Sequence, residues 1–307
     1  MQPIHELIIE LSHNCDLACT MCGFGGKKVE RGRFMTADVL EQVLDRVDPL
    51  PPVIRLNGRG ESTIHPQFVP MLRRVRERAP DSQINLFTHL SRTRREVLDA
   101  LIECDVHLFV SLDSPEPERL VTIRRRAKFE SIRDNLERLR RLQPRPFLIF
   151  TLQELNLGDV VPIAKFALER DMHLIVNTLR RDEGIEVFQQ MVRACAAELR
   201  SAFAEVGRLY AETGLTALLP DQVQGVQLQE QPTTHGSMAA CPAIERELCV
   251  LHDGTVTPCN MFNPYEYGSI LEDSVEELRA GESFRWFQSN HKSHYYCRNC
   301  ACLGGTA

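Results

Sequence analysis

Residues 6–22 read ELIIELSHNCDLACTMC, and this stretch decides the fold. Its first six residues, Glu6–Leu11, alternate and cluster apolar side chains in the manner of a buried strand. Cys15, Cys19 and Cys22 follow at once, spaced by three and then two residues. Three thiolates on one tight loop can ligate three irons of a 4Fe-4S cube, and the fourth iron is then open to a small molecule. A zinc site completed by His13 or a distant cysteine is the competing reading of the same spacing.

Working outward, short β-rich runs recur at Val53–Leu56, Gln83–Thr88, Val106–Ser111, Phe147–Thr151 and His173–Asn177. Amphipathic stretches lie between most of them. Thr36 is placed to cap a helix over Ala37–Val47, whose Val39, Leu40, Val43, Leu44 and Val47 fall at helical spacing. Pro66–Ala79, Arg92–Ile102, Phe129–Leu142 and Gly158–Glu169 follow the same pattern, with Pro80, Pro144 and Pro146 marking exits. Six such units predict an α/β fold of parallel strands with right-handed crossovers, either a doubly wound sheet or a partial barrel. In both, ligands gather at the carboxyl ends of the strands.

The texture then changes. Gly184–Thr213 predicts one long helix, and Leu218–Met238 is polar and punctuated by proline and glycine, as in a linker or lid. Seven of the 11 cysteines lie beyond residue 194. Glu247–Leu251 and Thr255–Thr257 flank Asp253-Gly254, a hairpin signal. Cys241, Cys259, Cys297 and Cys300 form a second metal-ligand set around it, with Cys302 a substitute ligand; four thiolates fit either a fully ligated cube or zinc. The expected division is 1–215, a linker or lid over 216–240, and 241–307.

The 307 residues carry a net charge of −6, which argues against a nucleic-acid binder. No apolar run reaches membrane-spanning length, and the acidic start lacks the basic flank of a signal peptide. A cytoplasmic protein is expected, so the cysteines are read as metal, cluster or redox groups rather than disulfides.

Cys-x3-Cys-x2-Cys after the first strand of a six-unit βα chain resembles the signature of the radical S-adenosylmethionine (SAM) superfamily, and the likeness runs from about Glu6 to Asn177. The resemblance implies a partial (β/α)6 barrel. It also implies a 4Fe-4S cluster on Cys15, Cys19 and Cys22, with SAM bound at the open iron. Reductive opening of SAM would give a 5′-deoxyadenosyl radical that takes a hydrogen atom from substrate. Residue by residue, it puts Met21 near adenine and Asn57, Gly58, Gly60 and Glu61 at the SAM amino group. Thr88 with His89 would end the third strand at the site. Ser111 and Asp113 resemble the ribose and carboxylate site, and Arg124 and Asn156 occupy further family positions. The C-terminal cysteines resemble a twitch-type SPASM domain, which implies a second 4Fe-4S cluster.

Cys104 and Cys195 read as core residues. Cys249 lies in the hairpin between two expected ligands and fits neither spacing: it is a buried strand residue or a hydrogen-atom donor. Chain length, the twitch-like spacing and this spare thiol resemble enzymes that tailor aminocyclitol antibiotics. That resemblance implies a radical SAM epimerase of the neomycin C to neomycin B type, acting on an aminoglycoside with a flavodoxin- or ferredoxin-type electron donor. Asp113, Glu154, Asp182, Glu183 and Glu186 are candidates for the substrate's ammonium groups. A sugar or aminocyclitol dehydrogenase and a peptide maturase are the alternatives.

Overall fold

The computed structural model describes residues 3–22, 30, 33–179, 185–228, 241–260, 265–293 and 297. Cys300, Cys302, Asp182, Glu183 and residues 229–240 of the linker stretch lie outside them.

Among the described residues, ten strands form one sheet. In chain order they are β1 (Glu6–Ile9), β2 (Val53–Arg55), β3 (Gln83–Thr88), β4 (His107–Ser111), β5 (Phe147–Leu152), β6 (His173–Thr178), β7 (Ala217–Leu218), β8 (Glu247–Val250), β9 (Thr255–Thr257) and β10 (Gly268–Ser269). Their spatial order is β10-β9-β8-β1-β2-β3-β4-β5-β6-β7. From β1 to β7 every pairing is parallel. The six expected strands are all present, and they build the partial barrel.

Eleven helices flank the sheet among the described residues: α1 (Ala37–Arg46), α2 (Phe68–Arg78), α3 (Arg95–Glu103), α4 (Pro117–Ile123), α5 (Phe129–Arg138), α6 (Val160–Leu168), α7 (Ile185–Ala194), α8 (Ala196–Tyr210), α9 (Pro242–Glu245), α10 (Val275–Ala280) and α11 (Glu282–Asn290). Thr36 caps α1 as expected, accepting the Val39 N–H at 3.2 Å. α1 buries Leu40, Val43 and Leu44, each contributing about 1.5–3 kcal/mol on removal from water.

Alternation sorts the strands into two faces. Leu7, Ile54, Leu86, Leu108, Leu148 and Leu174 point to the helices and join the main core. The other face is the barrel interior. There Phe87, Phe109, Phe147 and His173 stack in a ladder across four strands, at centroid spacings of 4.4, 5.2 and 4.5 Å. Arg55 lies 5.5 Å above the Phe87 ring and pairs with Glu6 at 2.6 Å.

Three features depart from the sequence expectation. The long helix over Gly184–Thr213 is two helices, because Cys195 leaves helical geometry (φ −111°, ψ 25°). The bend lets α8 lie on α6 while α7 meets the short hairpin formed by Gln222–Val223 and Val226–Gln227. Ala217–Leu218 pairs with β6, so the barrel sheet continues to the start of the linker stretch. The C-terminal hairpin is not a separate sheet: β8 pairs in parallel with β1, register Ile8↔Cys249, and β9 and β10 extend the same sheet antiparallel. Gly254 makes its turn at φ +88°, where a Cβ would overlap Leu271.

Candidate active site

The cysteine loop leaves the carboxyl end of β1 and is held from two sides. Ala18–Cys19 pairs antiparallel with Arg124–Arg125, in register Cys19↔Arg124, and the Thr20 N–H donates to the Ile123 carbonyl at 2.9 Å. Cys15 and Cys19 are half-buried and Cys22 is exposed. Burial, and then the nearby Glu61 carboxylate, push the Cys15 thiol up to about 12; burial also raises Cys19, against the opposing pull of Arg124. Burial thus opposes ionisation of both thiols, and a bound metal would favour it.

Arg124 is the buried cation of the loop. Its Nε lies 2.7 Å from Asp113 Oδ2 and its Nη1 4.0 Å from Cys19 Sγ. Asp113 is fully buried, and its Oδ1 accepts the Thr151 N–H at 2.8 Å. Its carboxylate thus faces Arg124 and the β5 backbone, so its charge is answered by Arg124 and not left for the expected substrate ammonium. Asn156 is likewise fully buried. Its amide donates to the Asp113 and Thr151 carbonyls, both at 2.9 Å, and its Oδ1 accepts the Gln153 N–H at 2.8 Å. Asn156 fixes two strand ends against each other.

Glu61 is a hub. Oε1 accepts from Thr63 N–H (3.2 Å), Thr63 Oγ1 (2.6 Å) and Thr88 Oγ1 (2.8 Å), and Oε2 from His89 N–H (3.1 Å). His89 Nε2 lies 3.2 Å from Glu61 Oε2 and 3.0 Å from Asp16 Oδ1. Burial alone would lower the His89 pKa, yet the two carboxylates outweigh it and raise it. Thr88 and His89 are thereby locked beside the cysteine loop. Asn57, at the carboxyl end of β2, is buried with an Oδ1 that has no hydrogen-bond partner among the described residues. Ser111 ends β4 on the interior face, and Met21 is half-buried against the main core.

The two glycines of the Asn57–Glu61 segment have packing tasks. A Cβ on Gly58 would lie 2.4–2.6 Å from the Glu10 side chain, and one on Gly60 would lie 2.3 Å from the Ser12 and Asn14 carbonyl oxygens. Gly60 lets this segment close on the residues before Cys15, where the Glu61 N–H donates to Asn14 O at 2.7 Å. Sequence reasoning missed Asp16, Arg59 and Glu10. Glu10 was legible as a charge at the end of an apolar strand.

In the C-terminal part, Cys241, Cys259 and Cys297 converge on one small apolar cluster of Ile244, Phe284 and Phe287 with Tyr265 and Tyr267. Burial, then the neighbouring Cys259 and Cys241, push Cys297 up to about 11. Cys249 is paired across the hairpin with Thr257, and its in-register neighbours Ile8 and Arg55 set it on the barrel-interior face. It is 1 % exposed, and burial pushes its thiol up to about 12, so it is held protonated. Cys104 is buried, as expected. Glu186 is exposed and Glu154 half-buried.

Residues 9–167, which include the three-cysteine loop at the carboxyl end of β1, match the Radical SAM superfamily model. The chain belongs to the radical SAM superfamily. Residues 241–301 match the SPASM iron-sulfur cluster-binding domain, so the C-terminal part is an auxiliary iron–sulfur domain. Among curated relatives, the "tungsten-containing aldehyde ferredoxin oxidoreductase cofactor-modifying protein" of Pyrococcus furiosus is 24% identical over 325 aligned positions, covering 96% of this chain and 86% of that protein. Among solved structures, anSMEcpe with bound AdoMet and Cp18Cys peptide superposes with TM-score 0.72 at 18% identity, over 99% of this chain and 88% of that one. BtrN in complex with AdoMet and 2-DOIA gives TM-score 0.53 at 13% identity, over 97% and 92%. At these identities the structures share the fold. No helix among the described residues is long and apolar enough to cross a membrane.

Proposed function

We propose that this radical SAM enzyme inverts a sugar carbon of an aminoglycoside, in the manner of neomycin C to neomycin B conversion, with Cys249 returning the hydrogen atom. A 4Fe-4S cluster that takes SAM would be held by Cys15, Cys19 and Cys22, and a second cluster by Cys241, Cys259, Cys297 and Cys300. When bound, the first cluster and SAM supply a 5′-deoxyadenosyl radical, and the second exchanges single electrons. The chain's own atoms fit this loading. The buried Asn57 Oδ1 offers an acceptor to an ammonium group at a strand carboxyl end. Arg124 places a buried positive charge beside Cys19.

The observation that carries the epimerase reading is the Cys249 thiol, protonated, on the interior face of β8. A substrate carbon that loses a hydrogen atom on one face takes one from Cys249 on the other. The thiyl left on Cys249 then takes one electron and one proton, the electron coming from a flavodoxin- or ferredoxin-type donor. Reaction in deuterated water with an aminoglycoside panel tests this: deuterium is expected at an inverted carbon, and a ketone product rejects epimerisation. Cys249→Ala should still form 5′-deoxyadenosine but give no inverted product; undiminished inversion leaves Cys249 a core residue.

A second reading has support from the comparisons, which by themselves lean toward it. BtrN is solved with AdoMet and 2-DOIA and anSMEcpe with a peptide, so oxidation of an aminocyclitol or sugar alcohol, or modification of a peptide, follows from the same radical. Oxidation needs the carbon radical to lose an electron and a proton, and no thiol. Cys249→Ala would then turn over normally.

A further inference from the structure

Glu10, His13 and His252 form a cluster that the radical chemistry does not use. Glu10 directly follows β1, His13 stands two residues before Cys15, and His252 occupies the turn of the C-terminal hairpin. One ligand atom from each lies within 4.8 Å of the other two. His13 Nδ1 is 3.0 Å from Glu10 Oε2, and His252 Nδ1 is 3.8 Å from the same oxygen. The two imidazoles stack at 5.0 Å with a 25° interplanar angle, so their nitrogens approach one carboxylate side by side.

We propose that Glu10, His13 and His252 bind a zinc ion that ties the hairpin turn to the segment leading into the cysteine loop. Zinc bonds of 2.0–2.2 Å to nitrogen and oxygen in a tetrahedron hold ligand atoms roughly 3.3–3.5 Å apart. The two measured separations bracket that span. His252 Nδ1 is buried and has no hydrogen-bond partner among the described residues. A buried ring nitrogen left without a partner is destabilising, and an ion between it and Oε2 satisfies both.

The carboxylate is prepared for the role. Glu10 is fully buried, and the Arg59 N–H donates to Oε1 at 3.1 Å, which fixes the carboxylate against the histidines; His13 Nδ1 lies 3.1 Å from Oε1 and 3.0 Å from Oε2. Gly58 clears the space its side chain occupies, since a Cβ there would overlap Glu10 Cγ at 2.4 Å. Two imidazoles and a carboxylate suit zinc. His13 and His252 each keep about one-seventh of their side-chain surface, 14% and 15%, in solvent, which leaves room for water as a fourth ligand.

The test uses the tag-free holoenzyme with its clusters loaded anaerobically. One equivalent of zinc is added, weakly held metal is removed with a mild chelator, and zinc and iron are counted per chain. Wild type should retain about one zinc with unchanged iron, and His252→Asn and His13→Asn should retain less than about a tenth of that with iron also unchanged. Zinc X-ray absorption separates this site from the cysteines: a shell of nitrogen and oxygen near 2.0–2.1 Å is expected, without sulfur near 2.3 Å. Zinc absent from wild type, zinc retained in both variants, or sulfur in the shell each overturns the assignment. If either variant loses iron, the absorption spectrum of wild type decides alone.

Discussion

Arg124 Nε lies 2.7 Å from Asp113 Oδ2, and both side chains are buried beneath the cysteine loop. Such a pair is tolerated because each charge answers the other. Removing one partner leaves an uncompensated charge, at a cost of about 3–5 kcal/mol. Asp113→Asn should therefore lower the urea midpoint substantially and weaken iron retention, since Arg124 also anchors the strand paired with Cys19. An unchanged midpoint with full iron content would show that the pair contributes little.

Gly60→Ala drives a methyl group into two backbone oxygens 2.3 Å away, and backbone cannot rotate aside. We expect a loss of about 1–3 kcal/mol and a poorly loaded first cluster. Gly158→Ala is the matched control, because a Cβ there meets nothing within 4 Å. Equal behaviour of the two variants in denaturant titration and iron analysis contradicts the packing argument.

Asn57 Oδ1 is a buried acceptor at a strand end. If it receives the SAM ammonium, Asn57→Leu removes a hydrogen bond to a charged group, worth about 1.5–3 kcal/mol. SAM affinity should fall at least about tenfold, read by equilibrium dialysis on cluster-loaded protein. Binding within twofold of wild type dismisses the contact.

Cys297 shares its apolar cluster with Cys241 and Cys259. Cys297→Ser should halve the iron, from about eight to about four per chain if both sites hold cubes. The remaining cluster should still respond to SAM in its electron paramagnetic resonance spectrum. Loss of that response would mean that the C-terminal cysteines also support the first site.

Most of the barrel was legible because it is written locally. Val39, Leu40, Val43 and Leu44 repeat at helical period, and Gln83–Thr88 ends where its alternation ends. The cysteine loop was legible for the same reason, since its ligands are neighbours in sequence. What was hidden joins residues far apart in the chain. Asp113 reads as an exposed acid until folding sets Arg124 against it. The pairing of Ile8 with Cys249 spans most of the chain, and nothing in Glu247–Val250 distinguishes an isolated hairpin from an added barrel strand. α4 escaped notice because its seven residues are too short for a periodic signal. The break at Cys195 was hidden because both halves of that stretch are good helix formers.

The seam between β1 and β8 has a mechanical consequence. The segment leading to Cys15 leaves the carboxyl end of β1, while β8 turns at His252 into β9, which runs back along it and leads to Cys259. The strand that carries the cysteine loop and the hairpin that carries Cys259 thus share one main-chain ladder, so neither can swing away without breaking several backbone hydrogen bonds together.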